Sequence, residues 1–412
     1  MRRIAIVGAG QAGLQLALGL RAEGYEVTVV SARTADEIRA GRVLSTQVMF
    51  GPALALERAA GLHLWEEQAP WIDGLDLCFA AEPGVVSFSL SAAFDGAAQS
   101  VDQRMKMAGW LELFEERGGR VEHRAVAADG LGALAAEYDL TLVAAGRGDL
   151  AEVFTRDERH SPFDAPQRVL ACVYLHGVTP AEQHPDAVGP RMRVHPTRGA
   201  GECIVMPALT LSGPCDILLW EATPGGPYDC WQDRPDADAF TRRSLELMRT
   251  YAPWEYERFA TAKPTDAQAT LFGSVTPTVR HPVAEVAPGS YVLGMADTVV
   301  VNDPIAGQGA NNAAHCAASY LRSITGHGEQ PFDRPWMQRA FAAFWERARH
   351  SSAFSNLMLA PPEHVARALD AASRHHEVAH RFANVYVDPL DAPEWIMDAD
   401  RTAAYLTAVG QP

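Results

Sequence analysis

Apolar positions in the first 150 residues fall into short unbroken runs separated by amphipathic stretches. Arg3-Ile4-Ala5-Ile6-Val7 and Glu26-Val27-Thr28-Val29-Val30 have the length and β-branched content of buried strands, and Leu14 to Arg21 between them reads as a helix. Further helices are predicted through Leu54 to Ala59 and from Arg104 to Glu116. A turn at Gly118-Gly119 and a short strand then lead to another buried strand, Tyr138 to Gly146. Strands alternating with helices are the pattern of a doubly wound α/β domain.

Between about 165 and 280 the texture changes to shorter runs, Val169 to Leu175, Cys203 to Met206 and Ile217 to Trp220, divided by Pro, Gly and Asp clusters. That pattern predicts an antiparallel sheet. Tyr291 to Gly294 returns to the earlier style and a helix follows through Ala310 to Ile324, so one domain interrupts another. From Trp336 onward the chain is mostly amphipathic helix, including Ala340 to Trp345 and Val365 to Leu369, with aromatics that read as core packing. The expected boundaries are 1–75, 101–160 and 281–330 for the nucleotide-binding domain, 76–100 and 161–280 for the sheet domain, and 331–412 for a C-terminal helical region.

The 412 residues, 48% hydrophobic, suffice for a large core. A formal charge of −16 opposes binding to phosphate chains or anionic lipid. Six scattered cysteines show no CxxC pair or zinc spacing and are expected as reduced thiols. No signal peptide or run of about 20 apolar residues is evident, so the default expectation is the cytoplasm.

Two glycine clusters carry the chemistry. Gly8-Ala9-Gly10-Gln11-Ala12-Gly13 sits between the first strand and first helix, the context a dinucleotide fingerprint requires. Gly8 permits the turn, Gly10 the approach of a pyrophosphate to backbone, and Gly13 helix-on-strand packing, while the helix start offers N–H groups to phosphate. After the second strand the expected acidic ribose ligand is replaced by Ser31-Ala32-Arg33, which leaves Asp36 or Glu37 as substitutes or as surface carboxylates. The second cluster, Pro304-Ile305-Ala306-Gly307-Gln308-Gly309-Ala310-Asn311, opens another helix and follows Asp297, a carboxylate suited to ribityl hydroxyls. Together the clusters suggest one flavin held from both sides, in a Rossmann-like FAD-binding domain. No metal site is read, and His281, His315 and His350 are expected to be structural or surface residues.

The chain resembles the two-component, FAD-dependent styrene and indole monooxygenases, within the flavoprotein aromatic hydroxylases. The resemblance rests on Ile6 to Leu14, Val101-Asp102-Gln103-Arg104, Tyr138-Asp139-Leu140, Ser161-Pro162-Phe163, Pro166-Gln167-Arg168 and Asp303 to Asn311. Where the wider group shows Gly-Asp, this chain has Ala296-Asp297. The resemblance implies cofactor contacts from Gly8, Gly10, Gln11, Ala12, Gly13, Arg42, Arg104, Val126, Ala145, Gly146, Asp297, Pro304, Gly307, Gln308, Gly309, Ala310 and Asn311. It places a substrate pocket at Ser45, Gln47, Val48, Met49, Ile72, Leu75, Ala98 and Pro304. Ser45, Gln47 and Met49 match the indole-oxidising branch, where styrene-oxidising members resemble Asn, Val and His. Gln47 also offers an acceptor for the ring N–H that distinguishes indole from styrene, or else only braces its loop.

The implied reaction has no catalytic side chain: reduced FAD and O2 form a C4a-hydroperoxide that epoxidises a small aromatic alkene, indole at C2=C3, leading to indoxyl and indigo. No second fingerprint for NAD(P)H is visible, so an NADH-dependent flavin reductase is the expected partner. Styrene epoxidation, a one-component NAD(P)H hydroxylase and a non-catalytic flavin-fold binding protein are the alternatives, and a homodimer is left open. A flavin halogenase is disfavoured because no Trp-x-Trp-x-Ile-Pro segment occurs.

Overall fold

In a computed structural model describing residues 2–146, 148–182 and 187–410, the alternating pattern becomes one six-stranded sheet. Its strands, numbered along the chain, are Arg3–Val7 (β1), Glu26–Ser31 (β2), Arg120–His123 (β5), Leu140–Val143 (β6), Val283–Ala287 (β14) and Ser290–Gly294 (β15). The order is β14-β15-β6-β1-β2-β5. Strand β1 is central and pairs in parallel with β2 and β6, Ile4 facing Val27 on one side and Leu140 on the other. Ile4, Ala5 and Ile6 are fully buried, as a parallel strand covered on both faces requires.

The eight-stranded second sheet holds Trp71–Glu82 (β3), Val85–Gln99 (β4), Val169–His176 (β7), Met192–Thr197 (β8), Gly201–Thr210 (β9), Gly213–Ala222 (β10), Lys263–Pro264 (β11) and Thr270–Ser274 (β12). Its order is β11-β7-β10-β9-β8-β3-β4, with β12 also on β7, and it is antiparallel except where β3 meets β8. A small pair joins Thr278–Val279 (β13) to Val300–Val301 (β16). Because β3 begins at Trp71, residues 71–75 lie in the second sheet, which corrects the boundary expected at residue 75.

Each sheet has its own hydrophobic cluster, and the 26-residue helix Arg334–Leu359 joins them. Phe344 and Ala348 pack with the first sheet, Phe354 and Met358 with the second. The later helices add Val378, Phe382 and Tyr386 to the second cluster. Asn384 fixes them to the sheet edge, accepting from Asp95 N at 2.8 Å and donating to Ala93 O at 3.1 Å. No helix among the described residues is long and apolar enough to cross a membrane.

Beyond β15 the chain turns sharply through Ala296, which adopts φ +48°. This is the position where the resemblance expects glycine. An L-residue in the left-handed region costs about 1–2 kcal/mol. Ala296 is held there by burial, by its N–H on Cys316 Sγ at 3.3 Å and by Val299 N on its carbonyl at 2.9 Å. Ala296→Gly is therefore expected to stabilise the protein by about 1 kcal/mol, the relief of strain exceeding the entropy glycine adds to the unfolded chain. Denaturant unfolding checks this, and an unchanged or lower stability would show that the alanine methyl contributes packing of equal worth.

Candidate functional site

One cavity of about 1170 Å³ runs from the Gly8 turn across to the face of the second sheet. Its volume exceeds the roughly 300–1,000 Å³ of an ordinary small-molecule pocket, which leaves room for a nucleotide cofactor and a second molecule.

At one end stand Gly8, Ala9, Gly10, Gln11 and Ala12. Gly8 has φ +120°, and a Cβ there would lie 2.4 Å from Ala144 O. Gly13 is equally constrained, a Cβ meeting Gly8 O at 2.2 Å, so it packs helix on turn behind the cavity wall. A Cβ on Gly10 would meet nothing within 4 Å. Glycine at this wall position therefore leaves open space beside the backbone, as a pyrophosphate needs. The helix Gln11–Ala22 has no capping side chain, so its first-turn N–H groups are left for a ligand. Gln11 itself is anchored by its Nε2 on Glu57 Oε1 at 2.9 Å.

Ser31, Ala32, Arg33, Arg124 and Val126 complete this end. Neither Asp36 nor Glu37 supplies the missing ribose ligand. Glu37 forms a capping box with Thr34 and Asp36 pairs with Arg39 at 3.3 Å, both away from the cavity.

The middle of the wall is built by Ala145, Gly146, Asp297, Pro304, Gly307, Gly309 and Ala310. Gly146 and Asp297 abut, since a Cβ on Gly146 would lie 3.8 Å from Asp297 Cβ. Gly307 has φ +63° and ends the short turn Pro304–Ala306. The helix Gly309–Thr325 that follows also lacks a side-chain cap. Two uncapped helix starts thus border one cavity from two ends of the sequence, and the residues present fit FAD.

Gln308 and Asn311 do not line the cavity, a correction to their expected cofactor contacts. Their amides brace the fold instead. Gln308 Nε2 donates to Tyr386 O at 2.7 Å. Asn311 accepts from Phe50 N at 2.9 Å and donates to Val48 O at 2.8 Å and Gly307 O at 2.9 Å, fastening the 45–50 loop to the second glycine cluster.

That loop contributes Ser45, Gln47 and Val48 to the wall, and β3 contributes Leu75. Met49 is turned away by its bridge to Gln99 and packs with Ala53, Leu54 and Ala314. Ile72 and Ala98 are register partners buried in the core, where a bulge between Ile72 and Gly74 breaks the alternation. All three are corrections to the expected pocket. The structure adds a row the sequence reading missed: Leu77, Val194, Ile204 and Leu219 are successive partners across four strands and all face the cavity. Period-two alternation within these strands was the signal that could have found them.

Arg42 and Arg104 are also absent from the wall. Exposed Arg42 donates to Thr270 Oγ1 at 3.2 Å. Arg104 is 1% exposed and bonds Asp102 at 2.7 Å, Asp266 at 3.0 Å and Thr210 at 3.3 Å. Burial opposes its charge, but the hydrogen bonds to Asp102 and Asp266 outweigh it and hold the guanidinium protonated above its ordinary range. Arg104→Met should cost about 3–5 kcal/mol of stability by stranding the buried Asp102 carboxylate. Denaturant unfolding checks this; unchanged stability with weakened FAD binding would return Arg104 to the cofactor.

Residues 146–258 match a family model described as "Styrene monooxygenase A putative substrate binding domain". Over 400 residues the chain is 29% identical to the styrene monooxygenase StyA of Pseudomonas fluorescens, covering 94% of this chain and 93% of that one. A second StyA, from a Pseudomonas species, is 29% identical over 399 residues, with the same coverage. Among solved structures, the flavin-dependent brominase Bmp2 in triple-mutant form superposes with a TM-score of 0.67 at 13% identity, covering 99% of this chain and 100% of that one. The 2-methyl-3-hydroxypyridine-5-carboxylic acid oxygenase does so at 0.61 and 14%, covering 95% and 97%. With two glycine clusters on one cavity and likeness to StyA along nearly the whole chain, the protein is an FAD-dependent monooxygenase similar to the styrene monooxygenases.

Proposed function

We propose that the protein epoxidises the C2=C3 bond of indole, using O2 and reduced FAD delivered by an NADH-dependent flavin reductase. Bound reduced FAD supplies the activated oxygen. The chain positions the alkene, excludes water and supplies polar contacts to the ring.

The observation that carries the indole reading is the state of Gln47. Its Nε2 donates to Val101 O, an acceptor only, so the amide orientation is fixed and Oε1 is turned away from that carbonyl. Gln47 lines the cavity, is buried, and its Oε1 has no hydrogen-bond partner among the described residues. A buried acceptor left unpaired costs about 1–3 kcal/mol. An indole N–H can satisfy it, whereas styrene has no donor. Around it Val48, Leu75, Leu77, Val194, Ile204 and Met206 give an apolar wall that keeps water from the reacting oxygen.

Reductase delivery is supported at the adenosine end. There the wall carries Ser31, Arg33 and Arg124 and, among the described residues, no carboxylate for the ribose diol, which favours a flavin that exchanges.

The test supplies FAD, NADH and a generic flavin reductase and follows indigo and styrene oxide in parallel. Wild type should form indigo with little styrene oxide, and only with reductase present. Gln47→Leu should lower kcat/KM for indole relative to styrene by about tenfold or more, the worth of the lost acceptor. Efficient styrene oxide formation with poor indole turnover, or a ratio unmoved by the substitution, would overturn the indole reading. NADH oxidation by the isolated chain would overturn reductase delivery.

A further inference from the structure

The sheet face of the cavity is apolar along the row Leu77, Val194, Ile204 and Leu219, but the next row is different. It reads Pro196, Glu202, Glu221 and Leu170, again successive partners across four strands. Glu202 and Glu221 face each other on neighbouring strands, an arrangement that is unfavourable when both are charged. Arg168 resolves half of the conflict by binding Glu202 through two hydrogen bonds, at 2.7 and 2.9 Å. Nothing resolves the other half. Glu221 is 1% exposed, and among the described residues neither carboxyl oxygen has a hydrogen-bond partner.

A buried, unpartnered carboxyl is unfavourable, and such groups in native proteins call for an explanation. Burial first, and then Glu202 and Asp303, push the Glu221 carboxyl well above its usual range, which favours the neutral acid. Asp303, raised by burial to about 6, accepts at one oxygen from Ile305 N at 3.1 Å, and its other oxygen has no partner among the described residues. Tyr386 lines the same part of the cavity and its phenol is raised by burial, with Glu202 and Glu221 adding to the effect. Three carboxyls therefore surround one committed arginine. That balance repels an anion such as a cofactor phosphate and suits a cation.

We propose that Glu221 is a specificity-determining residue that receives the primary amine of an aromatic substrate bearing a short aminoalkyl side chain. The inference deepens the indole reading and rests on it for the aromatic portion only. Binding transfers the Glu221 proton to a neutral amine or releases it when the amine arrives as ammonium, and leaves a carboxylate–ammonium pair of the kind buried charge requires. The cavity lining reaches exposed residues nearby, at Arg198, Gly199, Pro224 and Pro361, which gives such a substrate a path in.

Calorimetric binding of tryptamine, 3-propylindole and indole to the FAD-loaded full chain at pH 7 tests this. Tryptamine should bind about ten- to hundredfold tighter than 3-propylindole, its neutral isostere, as a charge-assisted pair implies. In buffers of different ionisation enthalpy its binding should release about one proton, while 3-propylindole should release none. Glu221→Gln should bring the two affinities together, and Glu221→Asp should restore part of the preference. Proton release in the wild type decides the matter even if the variants fold poorly. Equal affinities without proton release would overturn the inference. Indole turnover in that case leaves the parent reading standing, whereas amine preference with no turnover of indole would overturn the parent reading and retain the subsite.

Discussion

The structure depends on a buried charge cluster that lies behind the cavity. Arg104 and Asp102 stand at the start of the helix Gln103–Glu116, beside the six-stranded sheet, while Thr210 and Asp266 belong to the second lobe. Backbone pairing surrounds the cluster: Asp102 N bonds Leu209 O at 2.8 Å, Leu209 N bonds Ser100 O at 2.9 Å, and Val43 N bonds Gln268 O at 3.1 Å. The charges are expensive to bury and acceptable only when mutually satisfied, so the lobes have one favoured register against each other. The cavity is the space that this register leaves between them.

Neutral amides perform the same service closer to the wall. Asn311 ties the second glycine cluster to the 45–50 loop, and Gln308 ties it to a helix near the C terminus. Those residues hold backbone in place so that glycines, helix starts and a few side chains such as Gln47 can face a ligand. The division of labour fits a cofactor enzyme, in which the protein contributes position and dryness.

Much of this was legible in the sequence, for identifiable reasons. Strand, glycine turn and helix at residues 3–22 are local features whose sterics demand particular residues, and Gly8 and Gly13 sit where a Cβ would strike backbone. Ser45, Gln47 and Val48 are expected from the family resemblance alone, and all three lie on the cavity wall. Arg104 could not be placed from sequence, because its partner Asp266 lies 162 residues away and an arginine suits phosphate and carboxylate equally. Met49, Ile72 and Ala98 were misplaced because a bridge and a bulge set which face each side chain takes, and neither leaves a compositional mark. The sheet face was overlooked since its partners come together only when four distant strands pair.

That sheet face governs how the protein can diversify. Along β9 and β10, cavity residues Glu202, Ile204, Leu219 and Glu221 alternate with Cys203 and Trp220, which are buried away from the cavity wall. Trp220 anchors that other side through Nε1 on Ser244 Oγ at 3.0 Å. The pleat thus works as a comb with two independent sets of teeth: point substitutions can reshape ligand preference one tooth at a time without disturbing the scaffold. A one-residue insertion in β10 would exchange the sets, driving Trp220 into the cavity and Glu221 into the core.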